Sequence, residues 1–383
     1  MTSRLLLRNG VLALPGGPVS ADVLCDGERI VGIGREIQDD SAEVFDATGL
    51  TLGPGLIDIH VHGGGGHSFF TEDPERIRAY AAWAPRNGVT SFLISTIGRD
   101  SEHTAAILRA LAPTIGAGAG AEPLGFHLEG PFINPDRRGA FEPGMLRAPS
   151  QEEFALYQEA AGGLIRQVTL APELPGAADV IAGALATGCA PAMSHTDATA
   201  DQARRAFGAG VRHVTHLFNA MRPIHQREGG PSIAALLEDS VSCELICDGA
   251  HVAPEVLRAA YRILGPSRTT VITDNLHLAG TAEMAGRFGG QPIAVTGATA
   301  VRQDGTIVGS ISTLDQHFRN VVEFFGVDLA TAFRLCSTNP ARVVGSARRK
   351  GALEPGMDAD IVLLDSDYQV AATVCRGQLA YRR

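Results

Sequence analysis

The sequence predicts an α/β protein: a (β/α)8 TIM-like barrel with a small β-sandwich domain built from both termini. Eight short apolar runs alternate with Ala/Leu/Arg-rich helical segments along the middle of the chain, and β-rich runs with turns occupy both ends. Such alternation is typical of parallel strands covered on both faces. Eight repeats favour a closed barrel over an open doubly wound sheet. No GxGxxG follows the first run, which further disfavours a dinucleotide-binding fold.

The eight apolar runs are 55–63, 89–96, 123–130, 166–173, 189–196, 212–220, 242–251 and 269–275. Several helical segments between them end in glycine, a usual stop signal just past a helix. Segment 291–310 predicts a hairpin with its turn at Asp304-Gly305, followed by closing helices. We assign residues 54–345 to the barrel, and residues 1–53 together with 346–383 to the small β domain.

Composition excludes several classes of function. The chain has 383 residues with 42 acidic and 32 basic side chains, a net charge of -10, which argues against a nucleic-acid partner. No apolar stretch approaches the roughly 20 residues of a membrane helix, and Arg4 and Arg8 make the start a strand rather than a signal peptide. Six scattered cysteines without a CxxC pair predict reduced thiols and a cytoplasmic protein.

Lys350 is the only lysine of the chain. Its charged surroundings predict an exposed turn, so we discard mechanisms that need a Schiff-base lysine, a P-loop lysine or a carboxylated lysine between two metals.

Ionisable residues follow the apolar runs where strands would end. They are His60, His62, Glu129, His195, His216, Asp248, His251 and Asp274. Active sites of this barrel form at the carboxyl-terminal face, from side chains at the ends of several strands. The pattern therefore predicts one site assembled from most of the strands.

His60 and His62 stand two residues apart, so in a strand both side chains point to the same face. Two adjacent imidazoles form half of a zinc or iron site. The run Gly63–Gly66 after them is expected to leave space above this pair. Glu129 is the candidate bridging carboxylate, because no carboxylated lysine is expected.

The motifs GLIDIHVHG, FHLEGPF, SHT, THLFNAM, QREGG, DGAHV, ITDN, GSISTLDQ, STNPAR and LEPGMDADIVLLD occur in this order from about residue 53 to 365. Together they resemble the N-acetylglucosamine-6-phosphate deacetylases of the amidohydrolase superfamily. The resemblance implies a metal-dependent hydrolase that removes acetate from N-acetylglucosamine 6-phosphate to give glucosamine 6-phosphate.

Residue roles are also implied by the resemblance. Glu129, His195 and His216 would hold the main metal, and His60 with His62 is similar to two-metal members, so one or two divalent ions, Zn or Fe, are expected. Asp274 would be the catalytic acid/base. The implied substrate-binding residues are Ala140, Phe141, Asn219, Ala220, Arg227, His251, Ile311 and Ser312. Arg227 would reach a neighbouring subunit's site, which implies a homodimer.

The sequence also departs from the family's pattern. Phe141 stands where a histidine is usual, Asn275 where a small residue is usual, and Gly229 follows Glu228 in place of proline. Two alternatives stay open: a related amidohydrolase acting on another N-acyl amino sugar or a cyclic amide, and a non-catalytic scaffold, which would lack ligands.

Overall fold

Eight parallel strands form a barrel in the computed structural model, which describes residues 4–383. The strands, called the first to the eighth barrel strand, are Leu56–Asp58, Val89–Thr96, Glu122–Glu129, Ile165–Leu170, Ala190–Met193, His213–Val214, Ser242–Ile246 and Thr269–Ile272. Each is hydrogen-bonded to the next one along the chain. The predicted fold class is confirmed.

The first and eighth barrel strands meet through the residues that follow them. His62 N donates to the carbonyl of Asn275 at 2.8 Å, and Asp274 N donates to the carbonyl of His60 at 2.9 Å. The barrel is therefore joined at its carboxyl-terminal rim by segments that also carry predicted site residues.

One α-helix follows each barrel strand, the eighth after an inserted sheet. These helices are Pro74–Trp83, Ser101–Leu111, Gln151–Ala160, Ala177–Ala186, Ala200–Gly208, Gly230–Leu237, Pro254–Arg268 (broken at Gly265) and Leu314–Phe325. Further α-helical segments are Leu329–Phe333 and Asn339–Val343, with a π-helix at Arg334–Thr338 between them; 3₁₀ turns lie at Ala84–Asn87, Ala112–Thr114, Pro135–Arg137 and Pro143–Met145. Polar caps set several starts: Asp73 accepts from Glu75 N and Asp100 from His103 N.

Strands from both ends of the chain form one separate sheet. They are Arg4–Leu14, Gly17–Asp26, Arg29–Gly34, Glu43–Asp46, Thr51–Pro54, Ile361–Leu364, Val370–Cys375 and Gln378–Arg382. Antiparallel pairing of Ile361–Leu364 with Thr51–Pro54 joins the two halves. Leu12, Val23 and Leu363 belong to an apolar core distinct from that of the barrel. The domain boundaries at residues 53 and 346 stay a prediction.

The predicted hairpin at 291–310 is part of a larger antiparallel sheet. Its strands are Ala285–Phe288, Gln291–Thr296, Thr299–Val301 and Ile307–Ser310. The turn at Asp304-Gly305 is present, since Gly305 N donates to the carbonyl of Arg302. A short two-stranded ladder also pairs Gly63–Gly64 with His67–Ser68.

The cysteines and the helix lengths bear on two expectations drawn from composition. All six cysteines are unpaired and buried, as expected for reduced thiols. Across residues 4–383, no helix combines the length and apolarity needed to cross a membrane.

The expectation that Lys350 is exposed is wrong. Its side chain is 1% exposed, and Nζ lies 2.7 Å from Glu122 and 3.0 Å from Asp358, with Asp360 as a third partner. Burial alone would lower the pKa of Lys350, but the three carboxylates hold it above its usual value. Arg349 also pairs with Glu122 and Asp358. The ammonium of Lys350 links the start of the third barrel strand to the segment before Ile361.

We predict that Lys350→Met lowers the free energy of unfolding by about 3–5 kcal/mol, because it leaves the buried Asp360 without its only ion-pair partner within residues 4–383, whereas Glu122 and Asp358 keep Arg349. Denaturant unfolding measures the change. The matched control is Arg348→Met at an exposed neighbouring position, with an expected change within about 0.5 kcal/mol. A loss as small as the control's would contradict a structural role for this ion cluster.

Candidate metal centre

Two groups of potential metal ligands lie at the carboxyl-terminal rim of the barrel. The first group is His60, His62 and Asp274, and the second is Glu129, His195 and His216. All six residues are buried, and within each group the potential ligand atoms lie within 4.8 Å of one another. The barrel thus brings together all five predicted ligands. Asp274 also belongs to the first group, although the sequence predicted it as the catalytic acid/base and not as a metal ligand.

Glu129 lies between the two groups. Its Oε1 is 3.1 Å from His195 Nε2 and 2.9 Å from His216 Nε2, whereas its Oε2 is 3.0 Å from His62 Nε2. Oε1 also lies 3.4 Å from His60 Nε2, so Glu129 contacts members of both groups. A carboxylate in this position would be shared by two ions if each group held one.

Hydrogen bonds behind the imidazoles set their tautomers. His62 Nδ1 donates to the carbonyl of Ser95 at 3.0 Å, and His195 Nδ1 donates to the carbonyl of Arg137 at 2.8 Å. Because a carbonyl can only accept, Nδ1 must carry the hydrogen, and in the neutral ring Nε2 keeps its lone pair. Such outer partners fix the orientation of histidine ligands in metal sites.

The Nε2 atoms fit a bound cation. His60 Nε2 is buried and makes no hydrogen bond within the described chain, although it lies 3.4 Å from both Glu129 and Asp274. The Nε2 atoms of His195 and His216 face each other at 3.1 Å, an arrangement that needs a proton or a cation between the two lone pairs. Imidazole and carboxylate donors suit zinc and iron.

The charges of the site shift its protonation equilibria. Burial would raise the pKa of Glu129, but the charge of His60 and hydrogen bonds from His195 and His216 hold it well below its usual value. Burial would lower the pKa of His62, but hydrogen bonds to Asp274 and Glu129 raise it to about 9. Without a metal, this imidazole therefore holds a proton that a metal ion must displace.

Backbone conformation at the rim explains why the fifth and sixth barrel strands are shorter than the predicted runs 189–196 and 212–220. Positive φ angles occur at His195 (46°) and His216 (30°), and also at Asp274 (55°). A left-handed residue cannot continue a strand, so the chain turns at the ligand itself. Strain of this kind concentrates at functional sites.

The glycines after His62 were expected to leave space above the site, and that expectation is wrong for Gly63, Gly64 and Gly65. A Cβ on Gly64 or Gly65 would lie 2.6 Å from the Trp83 ring, and one on Gly63 would lie 2.1 Å from the His67 carbonyl oxygen. Close packing and the ladder with His67–Ser68 explain Gly63, Gly64 and Gly65.

A cavity of about 280 Å³ opens above the ligand groups. It is lined by His62, Glu129, Gly139, Ala140, Phe141, His195, His216, Asn219, Ala220, His251, Asp274, Phe288, Thr306, Ile307 and Val308. Five of the predicted substrate-binding residues are in this lining. Ile311, Ser312 and Arg227 are not part of the lining, and Arg227 is exposed on the loop after Met221.

Phe141 and Asn219 have defined contacts at the cavity. The Phe141 ring centroid lies 5.5 Å from that of His195, and the ring is almost completely buried. The Asn219 side chain donates to the carbonyls of His216 and Leu217, and its backbone N–H also donates to His216. Asn219 therefore stabilises the turn, whereas the N–H of Ala220 has no partner within residues 4–383.

His251 is held by Asp248. His251 Nδ1 lies 2.6 Å from Asp248 Oδ2, and Asp248 Oδ1 accepts from the N–H groups of Ala250 and His251. Burial would raise the pKa of Asp248, but the bond from His251 holds it well below its usual value. This pairing leaves His251 Nε2 as the polar atom for a substrate.

Sequence reasoning missed several residues of the site. Phe70 stacks on His62 with ring centroids 5.3 Å apart, and Phe288 forms part of the cavity wall. Arg302 donates to the carbonyl of Ala140 and pairs with Glu142, which joins the inserted sheet to the loop after the third barrel strand. Glu244, in the seventh barrel strand, contacts His60. Only Glu244 left a signal, as a carboxylate within an apolar run.

Comparisons with known proteins agree with this architecture. The model of the Amidohydrolase family matches residues 51–380. The chain belongs to the amidohydrolase family. It is 35% identical to an N-acetylglucosamine-6-phosphate deacetylase of Bacillus subtilis (strain 168), over 100% of this chain and 95% of that protein. The family predicted from the motifs is confirmed.

Two further relatives of this amidohydrolase are informative. An N-acetylgalactosamine-6-phosphate deacetylase of Escherichia coli O157:H7 is 32% identical, over 91% of this chain and 93% of that one. A variant of the N-acetyl-D-glucosamine-6-phosphate deacetylase of Mycobacterium smegmatis, solved in complex with N-acetyl-D-glucosamine-6-phosphate, superposes with a TM-score of 0.90 at 33% identity, covering 99% of each chain.

We predict that Zn²⁺ binding releases protons and that affinity rises as the pH is raised from 7 to 9. Because the metal-free pKa of His62 is raised to about 9, the proton blocks Nε2 below that pH, and its competition fades as the pH approaches 9. Calorimetry in buffers of different ionisation enthalpy measures the release. His62→Asn is the control, since its amide oxygen carries no titratable proton; equal release in both proteins would remove His62 from the ligands.

Proposed function

We propose that the protein is a metal-dependent deacetylase that hydrolyses N-acetylglucosamine 6-phosphate to acetate and glucosamine 6-phosphate. The observation that carries the proposal is the pair of ligand groups sharing Glu129 beneath a cavity that Asp274 also lines. The names of the relatives support the substrate. One or two divalent ions, Zn or Fe, are the proposed cofactor, and the unpaired cysteines support a cytoplasmic location.

The proton steps fall to Asp274. A divalent cation bound by the two groups would supply Lewis acidity, which acidifies water and polarises the amide carbonyl. Asp274 accepts the proton of the attacking water and returns it to the amine nitrogen, because that nitrogen cannot depart as an anion. His251, oriented by Asp248, presents Nε2 to the substrate, where a polar contact stabilises developing charge.

The phosphate is proposed to bind Arg227 and the free N–H of Ala220. The Arg227 side chain is exposed and makes no hydrogen bond or ion pair within residues 4–383. A guanidinium forms strong bidentate bonds to phosphate. Since Arg227 lies outside the lining of its own cavity, we propose a homodimer in which it reaches the partner's site.

Two other substrates have specific support. The Escherichia coli O157:H7 relative is named for the galacto sugar, which differs from the gluco sugar at C4 only. Phe141 places an aromatic ring where a hydrogen-bond donor is usual in the family, which supports a different N-acyl substrate. A non-catalytic scaffold is disfavoured, because none of the predicted ligands is missing.

Acetate release from a panel of substrates tests the proposed function. The panel contains N-acetylglucosamine 6-phosphate, N-acetylgalactosamine 6-phosphate and unphosphorylated N-acetylglucosamine, each given to metal-loaded protein. We expect the highest kcat/KM on the first, and Phe141→His to keep or improve it. A higher kcat/KM on another N-acyl compound, together with a loss of that activity in Phe141→His, would favour the different-substrate hypothesis. Release of no acetate from any compound would favour the non-catalytic scaffold.

We predict that Asp274→Asn lowers kcat by a factor on the order of 10² or more, because the amide cannot accept the proton. Steady-state acetate release gives kcat and KM, and metal analysis shows whether the second ligand group keeps its ion. Turnover within a few-fold of wild type would exclude Asp274 as the acid/base.

We predict that Arg227→Ala lowers kcat/KM on the phosphorylated sugar by about one to two decades, since charge-assisted hydrogen bonds are worth roughly 1.5–3 kcal/mol. The unphosphorylated sugar should be unaffected. Mixing Arg227→Ala with Asp274→Asn protomers should restore activity, because mixed dimers contain one site with both residues intact. Equal losses on both sugars would contradict phosphate binding, and no recovery on mixing would contradict action across the dimer.

A further inference from the structure

Glu244 is a carboxylate buried inside the barrel. Its side chain is fully excluded from solvent, and four donors surround it. Oε1 accepts from Gln167 Nε2 at 2.8 Å and pairs with His213 Nε2 at 3.0 Å. Oε2 accepts from His60 Nδ1 at 3.0 Å and from His216 N at 3.1 Å. A buried carboxylate with four donors is a fixed point of the barrel interior.

The two partners of Oε2 belong to different ligand groups. His60 is in the first group and His216 in the second. The main chain of Glu244 adds a third contact, since its carbonyl accepts from Leu217 N at 2.9 Å. Glu244 therefore holds the turn at His216, where φ is 30°, through two consecutive N–H groups.

His60 differs from the other ligands in its outer partner. His62 and His195 donate from Nδ1 to neutral backbone carbonyls, whereas His60 Nδ1 donates to the charged Glu244. With its hydrogen on Nδ1, the neutral His60 ring presents a lone pair at Nε2, the buried atom that makes no hydrogen bond within residues 4–383. A carboxylate behind a histidine ligand fixes the ring and increases its basicity.

We propose that Glu244 is the positioning residue that holds both ligand groups in register for metal binding. It aims His60 Nε2 at the first ion through its side chain, and it keeps His216 in the turn that directs its imidazole to the second. The inference rests on the proposed metal-dependent function. The residues of the two groups come from the first, third, fifth, sixth and eighth barrel strands. Glu244, in the seventh strand, would connect them.

Two substitutions separate the charge of Glu244 from its hydrogen bonds. In Glu244→Gln, the Gln167 amide can rotate so that its Oε1, which has no partner within residues 4–383, accepts from the new NH2 group. His213 can accept at Nε2 in the tautomer whose Nδ1 donates to Ser242 Oγ. The carbonyl of the substituted side chain then stays on His60. Glu244→Leu removes both charge and acceptor. We expect about tenfold weaker Zn²⁺ binding in Glu244→Gln and a loss of about 100-fold or of one bound ion in Glu244→Leu. Metal content after dialysis and competition with a chelator measure both.

His213→Gln is the matched control, because His213 contacts the same carboxylate but is in neither ligand group. It should bind Zn²⁺ as wild type does. The melting temperature of each metal-free protein separates positioning from simple structural support, which would lower that temperature and leave Zn²⁺ affinity unchanged. If Glu244→Leu does not fold, Glu244→Gln decides alone.

Wild-type affinity in Glu244→Gln, or in a folded Glu244→Leu, would overturn the inference and leave the proposed function intact. A wild-type protein without Zn²⁺ or Fe²⁺ affinity would overturn both. Losses of the expected size in the Glu244 variants, with a normal His213→Gln, would support it.

Discussion

The convergence of four imidazole nitrogens on the carboxylate of Glu129 is the constraint on which the rest of the site depends. Glu129 is 4% exposed, and an uncompensated carboxylate buried to this degree would be neutralised by a shift of its pKa. The surrounding imidazoles reverse that tendency and keep it charged. The barrel makes this possible because parallel strands all end at one rim, so ligands far apart in sequence meet around one group.

Maintaining that convergence requires strained backbone. His195, His216 and Asp274 have positive φ angles, which cost of order 1–3 kcal/mol each for residues other than glycine. The strain is offset where the barrel closes, since the backbone hydrogen bonds of Asp274 to His60 and of His62 to Asn275 join the first and eighth strands. Barrel closure and the placement of the first group, His60, His62 and Asp274, thus depend on the same contacts. A local change at the rim is expected to disturb both.

The alternation of apolar runs with helical segments, and the spacing of ligand-type residues, predicted much of this architecture. The eight strands, the closing helices and the convergence of His60, His62, Glu129, His195 and His216 follow from apolar runs that end in ligand-type residues. The burial of Lys350 could not be predicted, because its three carboxylate partners come from two separate segments and their proximity is a tertiary fact. The run Gly63–Gly66 was misinterpreted for a similar reason: Trp83, against which Gly64 and Gly65 pack, is supplied by the following helix. A sequence pattern predicts where strands and helices occur, but it does not indicate which distant segment packs against a given residue.

The chemistry of the site and its substrate specificity depend on different parts of the structure. The potential ligands and Asp274 lie at the ends of strands, whose positions are set by the hydrogen-bonded barrel, and strand-borne sites are held more rigidly than loop-borne ones. The opposite wall is formed by Phe141 on a loop and by Thr306, Ile307 and Val308 at the edge of the inserted sheet, with Arg302 tying the two together. Loops tolerate sequence change without loss of the scaffold. Relatives that are about equally similar in sequence are named for gluco and galacto substrates. A change in this wall can alter which sugar is accepted while the candidate metal centre is left intact. Phe141 lies where the two requirements meet, since it lines the cavity and its ring contacts the proposed ligand His195.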